Sequence, residues 1–176
     1  MNLTPFESTP QTKPFKIQYA FTLKWPEIFV SFKISGPIEN LVIPHIETKK
    51  IRANELWKQS CLEFFIAEKG ASEYWEFNVS PSGLWNFYHL EDYRKNLKED
   101  FRVQLTRFER EDDKKSIRIS CILNCEGLPT INQPEVGISV VLSHLNQNNS
   151  FWAIKHTDQS PNFHRRESFI LNPTKN

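Results

Sequence analysis

Apolar and polar residues alternate through most of this chain, and a period of two commits it to strands rather than helices. Phe15, Ile17, Tyr19, Phe21 and Leu23 are separated by mostly polar neighbours, and Ile28, Val30, Phe32 and Ile34 repeat the pattern before Gly36-Pro37. Cys61 to Ala67 is a nearly unbroken apolar run around one acid, Glu63, as a central strand requires. Three hairpins are marked by their turns. Tyr74 to Ser80 and Leu84 to Leu90 flank Pro81-Ser82-Gly83, Phe101 to Phe108 and Ile117 to Leu123 flank the charged tip Glu109 to Lys115, and Val136 to Leu142 and Phe151 to His156 flank Asn146 to Asn149. A last short strand is expected over Ser168 to Leu171, and single helical turns within Ile46 to Leu56 and Tyr93 to Asp100.

About nine or ten strands at this spacing predict an all-β, antiparallel β-sandwich of the immunoglobulin-like or jelly-roll type, with few short helical turns. The 176 residues suit one domain. We expect residues 15–172 to form it, behind a polar, Pro-rich and flexible segment, residues 1–14.

Composition narrows the possible partners. With 22 basic and 21 acidic residues there is no excess of positive charge for a phosphate backbone, so nucleic acid is not expected. No apolar stretch is long enough to span a membrane. The three cysteines, an odd number, suit a reducing compartment, and without an apolar leader the expected location is the cytoplasm. Oligomeric state leaves no mark in the sequence.

Chemistry concentrates between Glu63 and Arg94. On the strand beginning at Tyr74, Trp75, Phe77 and Val79 share one face and Tyr74, Glu76 and Asn78 the other. With Leu62, Phe64 and Ile66 turned to the core, Glu63, Glu76 and Asn78 converge on the outer face of one sheet. Trp85, Asn86, Tyr88 and His89 follow across the turn, and Tyr93-Arg94 close the segment. Carboxylates, an amide, an arginine and aromatic rings are the groups that hold a sugar: rings stack on its apolar faces and polar groups bind its hydroxyls. A strand tryptophan is more often packing than platform. A glutamate inside an apolar strand needs a partner or a cavity, because burying it alone costs several kcal/mol. Arg94 is a candidate for that partner.

A second cluster runs from Trp152 to His156 and from Ser160 to Arg166. His156 and His164, with an acid such as Glu63 or Asp158, could reach one metal ion, although the spacing is looser than that of a zinc site. Backbone or carboxylate hydrogen bonds to loop histidines are the commoner arrangement. Nucleophilic catalysis has little support: Cys61 lies in an apolar strand, and no serine occupies a strained glycine-flanked turn.

The stretch Glu55-Leu56-Trp57, Cys61 to Phe65, Tyr74-Trp75-Glu76-Phe77-Asn78-Val79-Ser80-Pro81-Ser82-Gly83-Leu84-Trp85-Asn86-Phe87-Tyr88 and Asp92-Tyr93-Arg94 resembles the bacterial DOMON-like proteins, relatives of the family-9 carbohydrate-binding modules. Phe151 to His156 and Pro161-Asn162-Phe163-His164 resemble that group's second motif. The chain has Asn162 where the motif usually has Asp, and Ser60 where Thr often precedes the cysteine. The resemblance implies a sandwich of about ten or eleven strands with a ligand site on one sheet. It implies Trp57, Glu63, Trp75, Glu76, Asn78, Trp85, Tyr88, Arg94, Trp152, His156 and His164 as candidate ligand-binding residues, some of them scaffold. Related domains bind sugars or haem, so the fold is better determined than the ligand.

The expectation is therefore a non-catalytic domain binding a carbohydrate or a related small polar ligand, with no cofactor predicted and haem or a metal ion left open. The alternatives are a small metal-assisted enzyme built on His156, His164 and an acid, and a structural or interaction domain.

Overall fold

The structure, a computed structural model, describes residues 1–49 and 51–173. Strands β1 (Thr4–Pro5), β2 (Lys16–Lys24), β3 (Glu27–Ser35), β4 (Cys61–Glu68), β5 (Tyr74–Val79), β6 (Trp85–Leu90), β7 (Lys98–Glu99), β8 (Gln104–Asp113), β9 (Ser116–Asn124), β10 (Pro134–Ser143) and β11 (Asn149–Ala153) carry it. Three short 3-10 turns, Ile38–Asn40, Leu56–Lys58 and Arg166–Ser168, make up the helical content of the described residues. A seven-stranded sheet runs β1-β11-β10-β4-β5-β6-β7 and a four-stranded sheet runs β2-β3-β9-β8. Every strand pairing is antiparallel, and the two sheets pack as a sandwich. Among the described residues no helix is long and apolar enough to cross a membrane.

The alternation seen in the sequence sets the core. Ile17, Val30 and Ile119 of the small sheet meet Phe64, Phe77 and Phe87 of the large one, all buried. The charged tip expected at Glu109 to Lys115 is shorter than the sequence suggests. β8 continues to Asp113, because this edge strand keeps its ladder to β9 while charges pair along it, as Arg110 does with Asp112.

Two other segments differ from expectation. Tyr93 to Asp100 holds the bridge Asp92–Lys95 and β7 instead of a helical turn. The last strand contracts to the Arg166–Ser168 turn and a single bridge between Leu171 and Val136. At the other end, residues 1–14, expected to be flexible, make contacts to both sheets. β1 pairs with β11, the Leu3 amide donates to Ile17 O at 2.9 Å, and the Leu3 side chain is buried.

β4 is buried on both faces, as its apolar run requires, but the sequence pattern does not show that β5 is too, as is most of β6. The chain after β11 folds back over the outer face of the large sheet. Phe169 stacks on Phe65 at 5.5 Å and lies edge-on to Tyr74 at 5.7 Å, which builds a second, smaller apolar cluster outside the sandwich. Gly137 permits this approach, since a Cβ there would stand 2.8 Å from the Phe169 ring. Gly137→Ala is accordingly expected to cost about 1–3 kcal/mol by overpacking a rigid, buried ring. Urea denaturation of the variant checks it, and an unchanged midpoint would show that the covering segment yields freely.

Candidate functional site

The outer face of the large sheet carries a polar row across four strands. Register sets Ser139 (β10) opposite Glu63 (β4), Glu63 opposite Asn78 (β5), and Asn78 opposite Asn86 (β6). One step along, Phe65, Glu76 and Tyr88 form the next row. These groups are buried because the covering segment, the Leu56–Lys58 turn and the loop after β6 enclose them.

A cavity of about 320 Å³ opens above this floor, at the small end of the ~300–1,000 Å³ range of ligand pockets. Glu63, Glu76 and Phe65 lie at its base, Trp57, Phe151 and Phe163 stand around it, and Arg94, Leu97, Pro161 and His164 complete the lining with Leu90 and Val141. Trp57 is held edge-on against Tyr88 at 5.8 Å, and His164 against Phe65 at 5.1 Å.

The hydrogen bonds of the floor leave it incomplete. Ser139 Oγ donates to Glu63 Oε2 at 2.7 Å, and Asn78 Nδ2 donates to Glu76 Oε1 at 2.7 Å. Glu76 Oε2 and Asn78 Oδ1 are buried without a hydrogen-bond partner among the described residues. His164 Nε2 lies 3.9 Å from Glu76 Oε2, too far for a hydrogen bond. Although that distance is formally an ion-pair contact, a neutral pair fits the surroundings better. Burial, and then the charge of Arg94, hold the imidazole down to about 3. Burial raises both carboxyls, Glu63 to about 8 with help from the neighbouring Glu76, and Glu76 to about 7.

The mouth is organised around Tyr74 and Asn162. The Arg94 amide donates to the Tyr74 hydroxyl at 3.1 Å, and that hydroxyl lies 2.9 Å from His164 Nδ1. Asn162 Nδ2 donates to Asp158 and to the Tyr93 hydroxyl, while its Oδ1 accepts from the His164 amide and from Arg94. An aspartate at 162 could not donate to Asp158 and would repel it, so the amide suits this chain's own surroundings.

The structure brings Trp57, Glu63, Glu76, Arg94 and His164 to one cavity, with Asn78 hydrogen-bonded to Glu76 beneath it and Tyr88 behind Trp57. Four other candidates do not reach it. Trp75 and Trp85 share the inward face with Phe77 and lie between the sheets. There Trp75 Nε1 donates to Asp100 at 3.2 Å, and Trp85 lies under the Arg52 guanidinium. Trp152 is likewise in the core, donating to Ser150 Oγ at 3.0 Å. His156 lies outside the cavity, with Nε2 2.9 Å from Thr4 O and its ring against the edge of Phe6.

Among the described residues no group of three His, Cys, Asp or Glu side chains is placed to hold a metal ion. The pocket does not suit haem either. His164 points its nitrogens at Tyr74 and Glu76, and the single methionine lies against Tyr19. Phe151, Phe163 and Ser139 were missed in the sequence. Phe163 stands inside the quoted motif and was within reach, whereas Ser139 is tied to Glu63 only by register.

No family model matches the chain, and no curated protein matches it. Its fold is similar to solved structures at low identity. A "putative carbohydrate-binding protein" from Bacteroides uniformis aligns at 11% identity with a TM-score of 0.62, over 96% of this chain and 84% of that one. A family-9 carbohydrate-binding module from Caldicellulosiruptor kristjanssonii, solved in complex with glucose, aligns at 10% identity with a TM-score of 0.53, over 98% of this chain and 81% of that one. At these identities the likeness is one of fold: the chain is a two-sheet β-sandwich similar to those of carbohydrate-binding proteins.

Proposed function

We propose that the protein is a non-catalytic binding domain of the DOMON-like group, whose ligand is a carbohydrate or a similarly small polar molecule held over Glu63 and Glu76. One observation carries the reading: a buried acceptor, Glu76 Oε2, lacks a partner at the floor of an aromatic-walled pocket. Unpartnered buried acceptors are costly, and a ligand bearing hydroxyl or amine donors relieves them. The sandwiches with similar folds are described as carbohydrate-binding, one of them with glucose bound. Hydrolysis is disfavoured by placement. Both carboxyls rise from the same floor on adjacent strands, whereas glycoside cleavage needs them flanking the bond.

Titration calorimetry with a panel of mono- and oligosaccharides tests the reading. Trp57→Ala is expected to weaken saturable binding roughly ten-fold, the loss of ~1–1.5 kcal/mol of ring contact. Absence of saturable binding, or binding indifferent to both Trp57→Ala and Glu76→Gln, would sink it.

A further inference from the structure

Two side-chain donors beside the carboxyls are already committed: Ser139 Oγ is given to Glu63 and Asn78 Nδ2 to Glu76 Oε1. What remains open on the cavity side is Glu76 Oε2. A ligand here has to bring a donor to it.

Charge sharpens the requirement. The groups around the two carboxyls are Cys61 on β4, Ser139 on β10, Tyr74 and Asn78 on β5, Tyr88 on β6, His164 on the covering segment and Arg94 on the loop after β6. Burial keeps the Cys61 thiol and both tyrosines protonated, and the His164 imidazole is neutral. Arg94 is the one permanent cation in that set, and it can balance one carboxylate. Ionising both leaves one negative charge unmatched in a buried site, so the pair keeps a proton instead. The pocket therefore suits one positive charge bearing N–H donors, bordered by aromatic rings that attract cations.

We infer that the ligand of this pocket carries a protonated primary amine, seated against Glu63 and Glu76, and is a hexosamine rather than a neutral hexose. The inference rests on the carbohydrate reading above and adds the charge. The ammonium takes the place of the proton held by the pair, so complex formation releases that proton to the buffer. No bond is made or broken beyond this exchange. Arg94 keeps its place at the mouth, and the complex is then neutral overall: two carboxylates, one guanidinium, one ammonium.

The test is calorimetry at pH 7 on the full chain, in two buffers of different ionisation enthalpy. The probes are glucosamine, galactosamine and mannosamine, each beside its parent hexose and its N-acetyl derivative, with ethylammonium as the bare cation. At least one hexosamine is expected to bind roughly ten-fold or more tightly than its parent and N-acetyl forms. Its binding should release a substantial fraction of one proton, and that preference should fall below about three-fold in Glu76→Gln. Proton release is read on the unmutated protein, so the result stands even if the variant folds poorly. Equal binding of parent or N-acetyl sugars overturns the amine and leaves the sugar pocket intact. Ethylammonium binding with every sugar silent overturns the sugar reading and keeps the charge, and silence from all probes overturns both.

Discussion

Above pH 7 the double variant Glu63→Gln/Glu76→Gln is expected to be more stable than the parent, by an amount on the order of a few kcal/mol at pH 8. Both carboxyls lie above their ordinary value of 4.5, at about 8 for Glu63 and about 7 for Glu76, and both are wholly buried. Between 4.5 and those values the native state holds protons that the unfolded chain releases. Raising the pH through that window therefore favours unfolding. His164 acts in the opposite sense. It stays neutral in the native state down to about 3, while the unfolded imidazole protonates below 6.5. Its contribution rises with pH from about 3 to 6.5 and, between 4.5 and 6.5, offsets one of the two carboxyls. From 6.5 to 8 the carboxyls act alone within this cluster. Glutamine keeps the shape and the acceptor oxygens for Ser139 and Asn78 while removing the titration. Urea midpoints at pH 5, 6.5 and 8 check the result. The parent should lose stability relative to the variant as pH rises, and parallel profiles would show that neither carboxyl is destabilised by burial.

This cost bears on function. A carboxyl pair that lowers stability when ionised, at the base of an open cavity, is poorly explained by packing alone, since apolar residues of like volume would be neutral or better. The energy withheld from folding is available to a cation that enters the pocket.

The faces of the central strands were legible because alternation is a local property. On β5, Trp75, Phe77 and Val79 do point to the core, and Tyr74, Glu76 and Asn78 to the outer face. The same alternation assigns that outer face to solvent, and here it misleads. The outer face is buried by residues 154–171 and the loop carrying Arg94, through contacts such as Phe169 on Phe65 that span more than a hundred residues. The tryptophans show the same limit from another side. Trp75 and Trp85 are large, polar-tipped rings that a sugar platform could use, yet parity places them inward, where Asp100 and Arg52 engage them. Glu63 was the better guide, because a charge inside an apolar strand needs an explanation whatever the tertiary arrangement.

Arg52, which carries no signal in the sequence, is expected to be among the residues least tolerant of change. Arg52→Ala should lower stability by about 2–4 kcal/mol, seen as a melting temperature lower by roughly 5–15 °C. The guanidinium is half-buried and uses both of its terminal nitrogens. Nη1 donates to Asn86 Oδ1 at 2.9 Å, and Nη2 donates to the carbonyls of Asp100 at 2.9 Å and Val103 at 2.7 Å. Its Cζ lies 4.3 Å from the Trp85 ring centre and 5.0 Å from that of Phe101, a phenylalanine that is 72% exposed. Removing it leaves two backbone carbonyls and an amide oxygen short of a donor, and strips a face from each ring. The effect should reach the pocket as well. Residues 51–53 pair with Trp85 beside β6, and Asn54 Oδ1 accepts from Asn86 at 3.0 Å and from Tyr88 at 2.8 Å. That strip leads directly into the Leu56–Lys58 turn, and so fixes where Trp57 stands against Tyr88. Arg52→Lys should recover less than half of the loss, because one ammonium cannot reach both sets of partners or lie flat between two rings. A full rescue by lysine would mean that charge alone matters there, and that Trp57 is held by other contacts.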